Sequence, residues 1–151
     1  MCFTYGTWFG IEGLVAAARF GTADPTAEVR RACAFLAGKQ NPNGGWGESH
    51  LSCVDKSYSE TDCTAHADLG DEGSGVVQTA WALLGLMAGK YEDRAAVERG
   101  VRYLMDRQLP SGDWPQEGIT GVFNRSCGIT YTAYRNVFTV WALGRYAREY
   151  Q

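Results

Sequence analysis

The sequence has no excess of basic residues and no regular cysteine pattern. Its 151 residues carry 14 Lys and Arg against 17 Asp and Glu, a net charge of −3, so charge gives no reason to expect a nucleic-acid partner. Five cysteines, an odd number without regular spacing, predict reduced thiols and an intracellular protein. We expect no secretory signal, and the longest uncharged run, residues 73–89, is slightly too short to span a bilayer.

Glycine and aromatic side chains are abundant. There are 19 glycines and 5 tryptophans, and aromatic residues make up 13% of the chain. This composition predicts tight turns and large flat side chains rather than a highly charged helical bundle. The length suits one domain, but an apolar aromatic run at residues 2–10 follows Met1 directly. Such a bare hydrophobic start predicts that the chain is part of a larger domain.

An internal repeat organises the chain. Residues 31–46 and 99–114 share Arg, an aromatic residue, Leu, Gln, Pro, Gly and Trp at a constant interval of 68 residues. Before each turn the apolar residues follow i, i+4, i+7, i+8 spacing, which is typical of an amphipathic helix. The expected N-caps of these two helices are Asp24, with Pro25 at the first helical position, and Asp93.

A second kind of helix alternates with the amphipathic ones. Residues 79–83 and 139–143 share the pattern Thr-x-Trp-Ala-Leu, and residues 7–11 are a weaker copy. These segments are apolar on most faces, which predicts buried helices. The alternation predicts an all-α fold over residues 1–151, a partial α/α toroid with inner and outer helices, and no segment shows a period-two pattern that would require a sheet. Residues 47–75 are predicted to form a polar surface loop that contains an insertion.

Both repeats end in a turn of the form Gln-x-x-x-Gly-x-Trp. A glutamine at a helix end can bond the free backbone groups of a neighbouring helix end, glycine allows positive φ, and the tryptophan can fold back over the amide. We therefore interpret both turns as structural staples rather than as catalytic sites. Their residues are Gln40, Gly44, Trp46, Gln108, Gly112 and Trp114.

The turns resemble the QW motif of the triterpene cyclases. Other segments are similar to the C-terminal part of the oxidosqualene cyclases, the lanosterol and cycloartenol synthases. These segments are residues 2–10, 44–48, 108–117, 121–127 and 131–136. The resemblance covers nearly the whole chain except about residues 59–73, and it favours the oxidosqualene enzymes over the bacterial squalene–hopene cyclases.

This resemblance implies the C-terminal part of an isomerase that converts 2,3-oxidosqualene to a sterol precursor such as lanosterol. In that family a protonated Asp opens the epoxide and a cation propagates through ring closures, without a metal or another cofactor. Aromatic faces stabilise the cation in a dry cavity, and the resemblance assigns Phe123 and Tyr131 to the wall of that cavity. It also implies the remaining cyclase chain as a partner, and monotopic attachment to the endoplasmic reticulum membrane or to lipid droplets.

The catalytic acid of the family belongs to an Asp-Cys-Thr-Ala-Glu motif upstream of the matched region. Asp62-Cys63-Thr64-Ala65 is similar, but His66 stands in place of the Glu and the segment lies in the non-matching insertion. We interpret it as a coincidence in a solvated loop, where an Asp is ionised at neutral pH and is a poor acid. The isolated chain is therefore expected to lack the acid and to be inactive alone.

The residues also leave alternatives open. His50, Cys53, Cys63 and His66 have spacings that could bind zinc in a closed four-ligand site, although the resemblance implies no metal. The chain could instead be a non-catalytic helical-repeat binding module derived from a cyclase. It could also belong to an α/α-toroid prenyl-group enzyme, which would need Asp, Cys and His ligands to zinc. The sequence does not indicate which triterpene a cyclase containing it would form.

Overall fold

The computed structural model describes residues 2–21, 24–60, 73–124 and 126–150. Within these ranges the chain is mainly helical, and apolar and amphipathic helices alternate as predicted. Of the three apolar segments expected to be buried, only residues 79–83 are fully buried, because residues 7–11 and 139–143 keep exposed side chains. The elements are, in chain order, α1 (Cys2–Arg19), α2 (Thr26–Ala37), α3 (Leu51–Asp55), α4 (Val76–Ala88), α5 (Arg94–Asp106), β1 (Gly121–Phe123), β2 (Cys127–Ile129) and α6 (Tyr134–Tyr150).

Helix α4 lies at the centre of the described structure. It packs against α1, α2, α5 and α6, and every residue from Val76 to Met87 is buried. A helix that is apolar on all faces is stable only where neighbours cover all of its sides. Helices α1 and α6, which resemble α4 in sequence, act as its inner neighbours, and the amphipathic α2 and α5 shield the group from outside.

The two outer helices each bury one stripe and leave the opposite face in solvent. Helix α2 buries Val29, Cys33 and Leu36, and α5 buries the equivalent Val97 and Leu104 among others. The predicted spacing therefore identifies the buried stripe at i, i+4 and i+7 in both copies, whereas the predicted i+8 residues are half-buried Ala37 and exposed Met105.

The N-caps of the outer helices differ slightly from the prediction. The Asp93 carboxylate accepts a hydrogen bond from the Ala96 N–H at 3.2 Å, as expected for an N-cap. In α2, Pro25 itself occupies the N-cap position, so it is not the first helical residue as the sequence suggested. Asp24 nevertheless accepts the Thr26 N–H at 3.0 Å, which satisfies one of the free donors at this helix end.

One charged side chain ties α6 to the other inner helices. Arg145 donates to the Glu12 carboxylate on α1 at 2.6 Å and to the Leu84 carbonyl on α4 at 3.0 Å. Glu12 in turn accepts the indole N–H of Trp8 at 3.1 Å. These bonds fix the relative positions of the three inner helices.

Within the described ranges, no helix has both the length and the apolar character that crossing a membrane requires.

A small antiparallel sheet precedes α6. Strands β1 and β2 pair with Val122 opposite Gly128, so the all-α fold carries one two-stranded sheet that the sequence did not predict. Each strand has only three residues, which is too short for a period-two pattern to be recognised in a sequence.

The segment predicted to be a surface loop is partly internal where the structure describes it. Glu48, Ser52 and Ser74 are buried, and the short helix α3 forms within the segment. The Ser52 hydroxyl accepts the Ser59 N–H at 2.9 Å. Polar composition suggested a solvated loop, but these polar groups can be buried because each has hydrogen-bond partners. Glu48 and Ser52 bond backbone groups, and the Ser74 hydroxyl bonds the side chains of Asn41 and Asn43.

Candidate functional site

An aromatic hollow of about 260 Å³ opens between α1, α4, α6 and the β-hairpin. It is lined by Phe123 and Tyr131, the two residues that the resemblance assigns to a cavity wall. Both lie more than 100 residues from Tyr5 in the sequence. We call it the aromatic hollow and define it by its five rings. They belong to Tyr5, Trp81, Phe123, Tyr131 and Tyr134.

The inner helices bring three of these rings into contact. Tyr5 lies in the first turn of α1, Trp81 in the second turn of α4, and Tyr134 at the start of α6. The centroids of Tyr5 and Trp81 are 5.1 Å apart, and those of Trp81 and Tyr134 are 6.1 Å apart, with the rings edge to face in both pairs. Such pairs stabilise each other beyond the effect of burial. The result is a continuous aromatic wall.

Phe123 and Tyr131 form the rim of the hollow. Phe123 ends β1 and is 60% exposed, and Tyr131 lies between β2 and α6 and is 50% exposed. The Tyr131 ring is 4.8 Å from that of Tyr134. Exposed apolar rings grouped in this way are typical of a binding surface. Their assignment to a cavity wall stays a prediction.

The chemistry of the hollow is aromatic and uncharged. Burial, together with the neighbouring Tyr5 and Tyr131, raises the pKa of Tyr134, so its phenol stays neutral at physiological pH. The described residues that line the hollow include no carboxylate. Aromatic faces attract a positive charge by about 0.5 to 2 kcal/mol each, depending on desolvation. The hollow can therefore stabilise a cation, but its described lining offers no strong acid.

Two glutamates fix the helix ends beside the hollow. Glu48 accepts the Phe3 and Thr4 N–H groups at 3.0 and 2.7 Å, and Glu117 accepts the Val76 N–H at 2.6 Å. Burial opposes ionisation of Glu48, whereas these two N–H donors favour it, and its pKa lies below the ordinary value. A carboxylate at a helix N-terminus satisfies free donors and the helix dipole. Sequence reasoning missed both residues, although each follows the tryptophan of a turn within three positions.

The first turn, residues 40–46, joins two outer helices. The Gln40 amide donates to the Gly44 carbonyl at 2.9 Å and to the Ala96 carbonyl in α5 at 2.8 Å. The Arg99 guanidinium donates to the Gln40 side-chain oxygen at 2.8 Å. Gln40 therefore bonds a neighbouring helix end, as the sequence suggested.

The tryptophan of the first turn bonds its own helix. The Trp46 indole N–H donates to the Leu36 carbonyl at 2.6 Å. This carbonyl lies in the last turn of α2 and also accepts the Lys39 N–H at 3.0 Å. The indole thus caps the helix end, which differs from the expected contact with the glutamine amide.

The second turn, residues 108–114, has the same internal bonds. The Gln108 amide donates to the Gly112 carbonyl at 2.9 Å, and the Trp114 indole donates to the Leu104 carbonyl at 2.8 Å. Within the part of the chain that the structure describes, Gln108 makes no hydrogen bond to a neighbouring helix.

Of the remaining candidates, Cys53 lines the hollow, and the others lie away from it or outside the described residues. Asp62, Cys63 and His66 lie outside them, so the acid and zinc alternatives are not tested. Among the residues that are described, which include His50 and Cys53, no group of three or more potential metal ligands occurs.

A larger groove of about 640 Å³ lies between α1, α2 and the C-terminal end of α4. Charged side chains such as Asp24, Arg30 and Glu92 line part of it. It contains none of the residues that the sequence nominated for function. We therefore consider the smaller aromatic hollow the better candidate for the site.

Comparison with known proteins gives a consistent result. The chain matches the sequence profile of the squalene–hopene cyclase C-terminal domain over residues 1–148. It is 50% identical, over 99% of its length, to the lanosterol synthase of Homo sapiens. It is 51% identical over 99% of its length to the cycloartenol synthase of Dictyostelium discoideum, and 41% identical over its full length to the lanosterol synthase of Saccharomyces cerevisiae. The chain spans only 19%, 20% and 19% of these three relatives.

Proposed function

Because the chain belongs to the squalene–hopene cyclase C-terminal domain family, we propose that it supplies one wall of the catalytic cavity of an oxidosqualene cyclase. The substrate is 2,3-oxidosqualene and the product is a sterol precursor such as lanosterol. The observation that carries this proposal is the aromatic hollow, in which the ends of three inner helices and a hairpin collect five rings. Uncharged aromatic faces are what a cationic cyclisation requires of a cavity wall.

In the proposed reaction this chain binds and shields the substrate rather than protonating it. An acid supplied by another part of the cyclase protonates the epoxide oxygen, and the carbon–oxygen bond breaks as a carbon–carbon double bond attacks. The positive charge then moves along the folded substrate, past the aromatic faces of the hollow. In a dry cavity each well-placed face stabilises the charge by up to about 2 kcal/mol, and the exclusion of water prevents early quenching of the cation.

The residues of this chain account for the cavity wall but not for the catalytic acid. The described lining of the hollow has aromatic rings and no carboxylate. The chain spans about a fifth of the length of its relatives, 19% in the human case. We propose that catalysis needs the remaining cyclase chain and that the isolated chain is inactive. We further propose that the complete enzyme works at the surface of the endoplasmic reticulum or of lipid droplets, where its apolar substrate dissolves.

A chimera tests the proposed function. This chain would replace the corresponding segment of human lanosterol synthase, to which it is 50% identical, in yeast that lacks its own cyclase. We expect growth without added sterol and a tetracyclic product by mass spectrometry. Phe123→Ala and Tyr131→Ala should shift the product towards partly cyclised or rearranged triterpenes, because they remove faces that stabilise the cation.

Phe20→Ala is the matched control for loss of an exposed ring. Phe20 is 83% exposed and lies outside the hollow, so its removal should leave the product unchanged. If neither Phe123→Ala nor Tyr131→Ala alters rate or product in an active chimera, the hollow does not face the substrate. An inactive but folded chimera would favour the non-catalytic module, and tetracyclic product from the isolated chain would show that no further chain is needed.

A further inference from the structure

The β-hairpin that carries Phe123 is anchored at its base and exposed at its tip. At the base, the Thr120 N–H donates to the Ile129 carbonyl at 2.9 Å, and Thr120 is buried. At the tip, Phe123 pairs with Cys127, and both side chains are exposed. Because burial of side chains does not fix the tip, the turn between the two strands decides where the Phe123 ring lies.

The turn at the tip has a conformation that few residues adopt. The Ser126 N–H donates to the Phe123 carbonyl at 3.3 Å, and Asn124, the residue after Phe123, has a φ of 51°. A positive φ at the second residue is the feature of the turn types that join antiparallel strands in hairpins. A negative φ at Asn124 would lead the chain away in another direction and would separate Phe123 from Cys127.

The residue type at position 124 fits this backbone. Apart from glycine, asparagine is among the few residues that enter the left-handed region readily, because its short polar side chain can bond the nearby backbone. A β-branched residue is a rare exception there. The sequence thus has, next to Phe123, a residue that permits the observed turn.

We propose that Asn124 is a positioning residue of the cyclisation: its left-handed backbone keeps the tip of the hairpin in place, and so keeps the Phe123 ring at the rim of the aromatic hollow. Asn124 does not line the hollow itself, whereas Gly121, Val122 and Phe123 do. It acts on the substrate only through Phe123, and it thereby affects which product forms. This inference rests on the proposed function, since it requires Phe123 to face the substrate.

Lys90 offers a matched control elsewhere in the fold. It is exposed and has a φ of 50°, so a β-branched residue at this position meets the same kind of backbone strain as at position 124. Lys90 lies just beyond the C-terminal end of α4 and lines the larger groove rather than the hollow. Lys90→Val should therefore lower stability without moving an aromatic ring of the hollow.

The chimera with human lanosterol synthase provides the test, with products measured by mass spectrometry. In Asn124→Val, the ratio of partly cyclised or rearranged triterpenes to tetracyclic product should rise about fivefold or more, since forcing an ordinary residue into the left-handed region has a cost of this size. The new products should be those of Phe123→Ala. Asn124→Gly should keep the original product, because glycine adopts a positive φ without strain. Lys90→Val should also keep it, although both valine variants should lower the melting temperature of the chimera.

A double variant shows whether Asn124 acts through the ring. Asn124→Val combined with Phe123→Ala should give the product ratio of Phe123→Ala alone, because two changes that act through one group are not additive. A further shift in the double variant, or an equal shift in Lys90→Val, would overturn the proposal. If Asn124→Val does not fold, Asn124→Ala, which has less strain, is expected to shift the ratio in the same direction.

The outcomes distinguish this inference from the proposed function. An unchanged product in Asn124→Val, or in Asn124→Ala where the valine variant does not fold, together with an altered product in Phe123→Ala would overturn the inference and leave the proposed function intact. An inactive but folded chimera, or an unchanged product in both Phe123→Ala and Tyr131→Ala, would overturn both.

Discussion

The two Gln-x-x-x-Gly-x-Trp turns have the same internal bonds and different surroundings. In both, the glutamine amide donates to the glycine carbonyl at 2.9 Å, and the tryptophan indole caps a leucine carbonyl of its own helix. The first turn is also bonded to α5 through Ala96 and Arg99. Local sequence therefore dictates the shape of the turn, and its neighbours dictate how much it contributes to stability.

The same difference predicts where the chain tolerates change. A substitution that affects only the internal bonds should have similar effects in both turns. One that affects the contact with α5 should destabilise the chain in the first turn alone. Paired substitutions at equivalent positions therefore separate the two contributions, because each variant in the second turn is the control for its counterpart.

The largest difference is expected for the turn glycines. Gly44 and Gly112 have φ of 89° and 86°, so alanine at either position costs about 1 to 2 kcal/mol for the left-handed backbone. At position 44 the new Cβ would also lie 2.7 Å from the Arg99 carbonyl oxygen, and relieving that overlap costs about 1 to 3 kcal/mol more. Urea unfolding should show Gly44→Ala clearly less stable than Gly112→Ala.

Equal losses for the two alanine variants would contradict this interpretation. They would mean that α5 moves away from the first turn at little cost, so that the contact seen at Gly44 has no energetic weight. A Gly44→Ala variant that loses more than Gly112→Ala, with the same dependence on urea, would sharpen the comparison.

The repeat made much of the fold accessible from the sequence. The constant interval of 68 residues located both outer helices, because apolar spacing and turn residues agree there. The central helix α4 was equally clear, since an apolar sequence on all faces requires burial. The sequence could also assign the turn glycines, whose positive φ follows from the tight turn.

Features that depend on contacts between residues far apart in the sequence could not be predicted from it. Glu48 looked like part of a solvated loop, and only the approach of α1 makes it a buried cap. Strands of three residues leave no recognisable pattern. The aromatic hollow combines residues from four separate segments, so Tyr5, Trp81 and Tyr134 could not be grouped from spacing. Phe123 and Tyr131 were nominated only through a family resemblance.

The second prediction concerns Cys33, whose equivalent in the second repeat is Val101. Burial raises the pKa of the Cys33 thiol to about 11, against about 8.5 in an unfolded chain. As pH rises above about 8.5 the unfolded chain loses this proton first, so the free energy of unfolding should fall until about pH 11. The slope for one group is at most about 1.4 kcal/mol per pH unit.

Cys33→Val makes the first repeat resemble the second and removes this titration. Urea unfolding at several pH values should show that the unaltered chain loses about 2 kcal/mol more than the variant between about pH 8.5 and 11. Other groups titrate in both proteins, so they cancel in the difference. Parallel pH profiles would indicate that the Cys33 thiol ionises as readily in the folded chain as in the unfolded one.

The smallest difference is expected for the turn glutamines. Gln40→Ala removes bonds to Gly44, Ala96 and Arg99, whereas Gln108→Ala removes one exposed bond to Gly112. Because a partly solvated hydrogen bond contributes about 0.5 to 1.5 kcal/mol, we expect Gln40→Ala to be less stable than Gln108→Ala by about 1 kcal/mol in urea unfolding. Equal losses for the two variants would show that the bonds of Gln40 to Ala96 and Arg99 contribute nothing measurable to the stability of the chain.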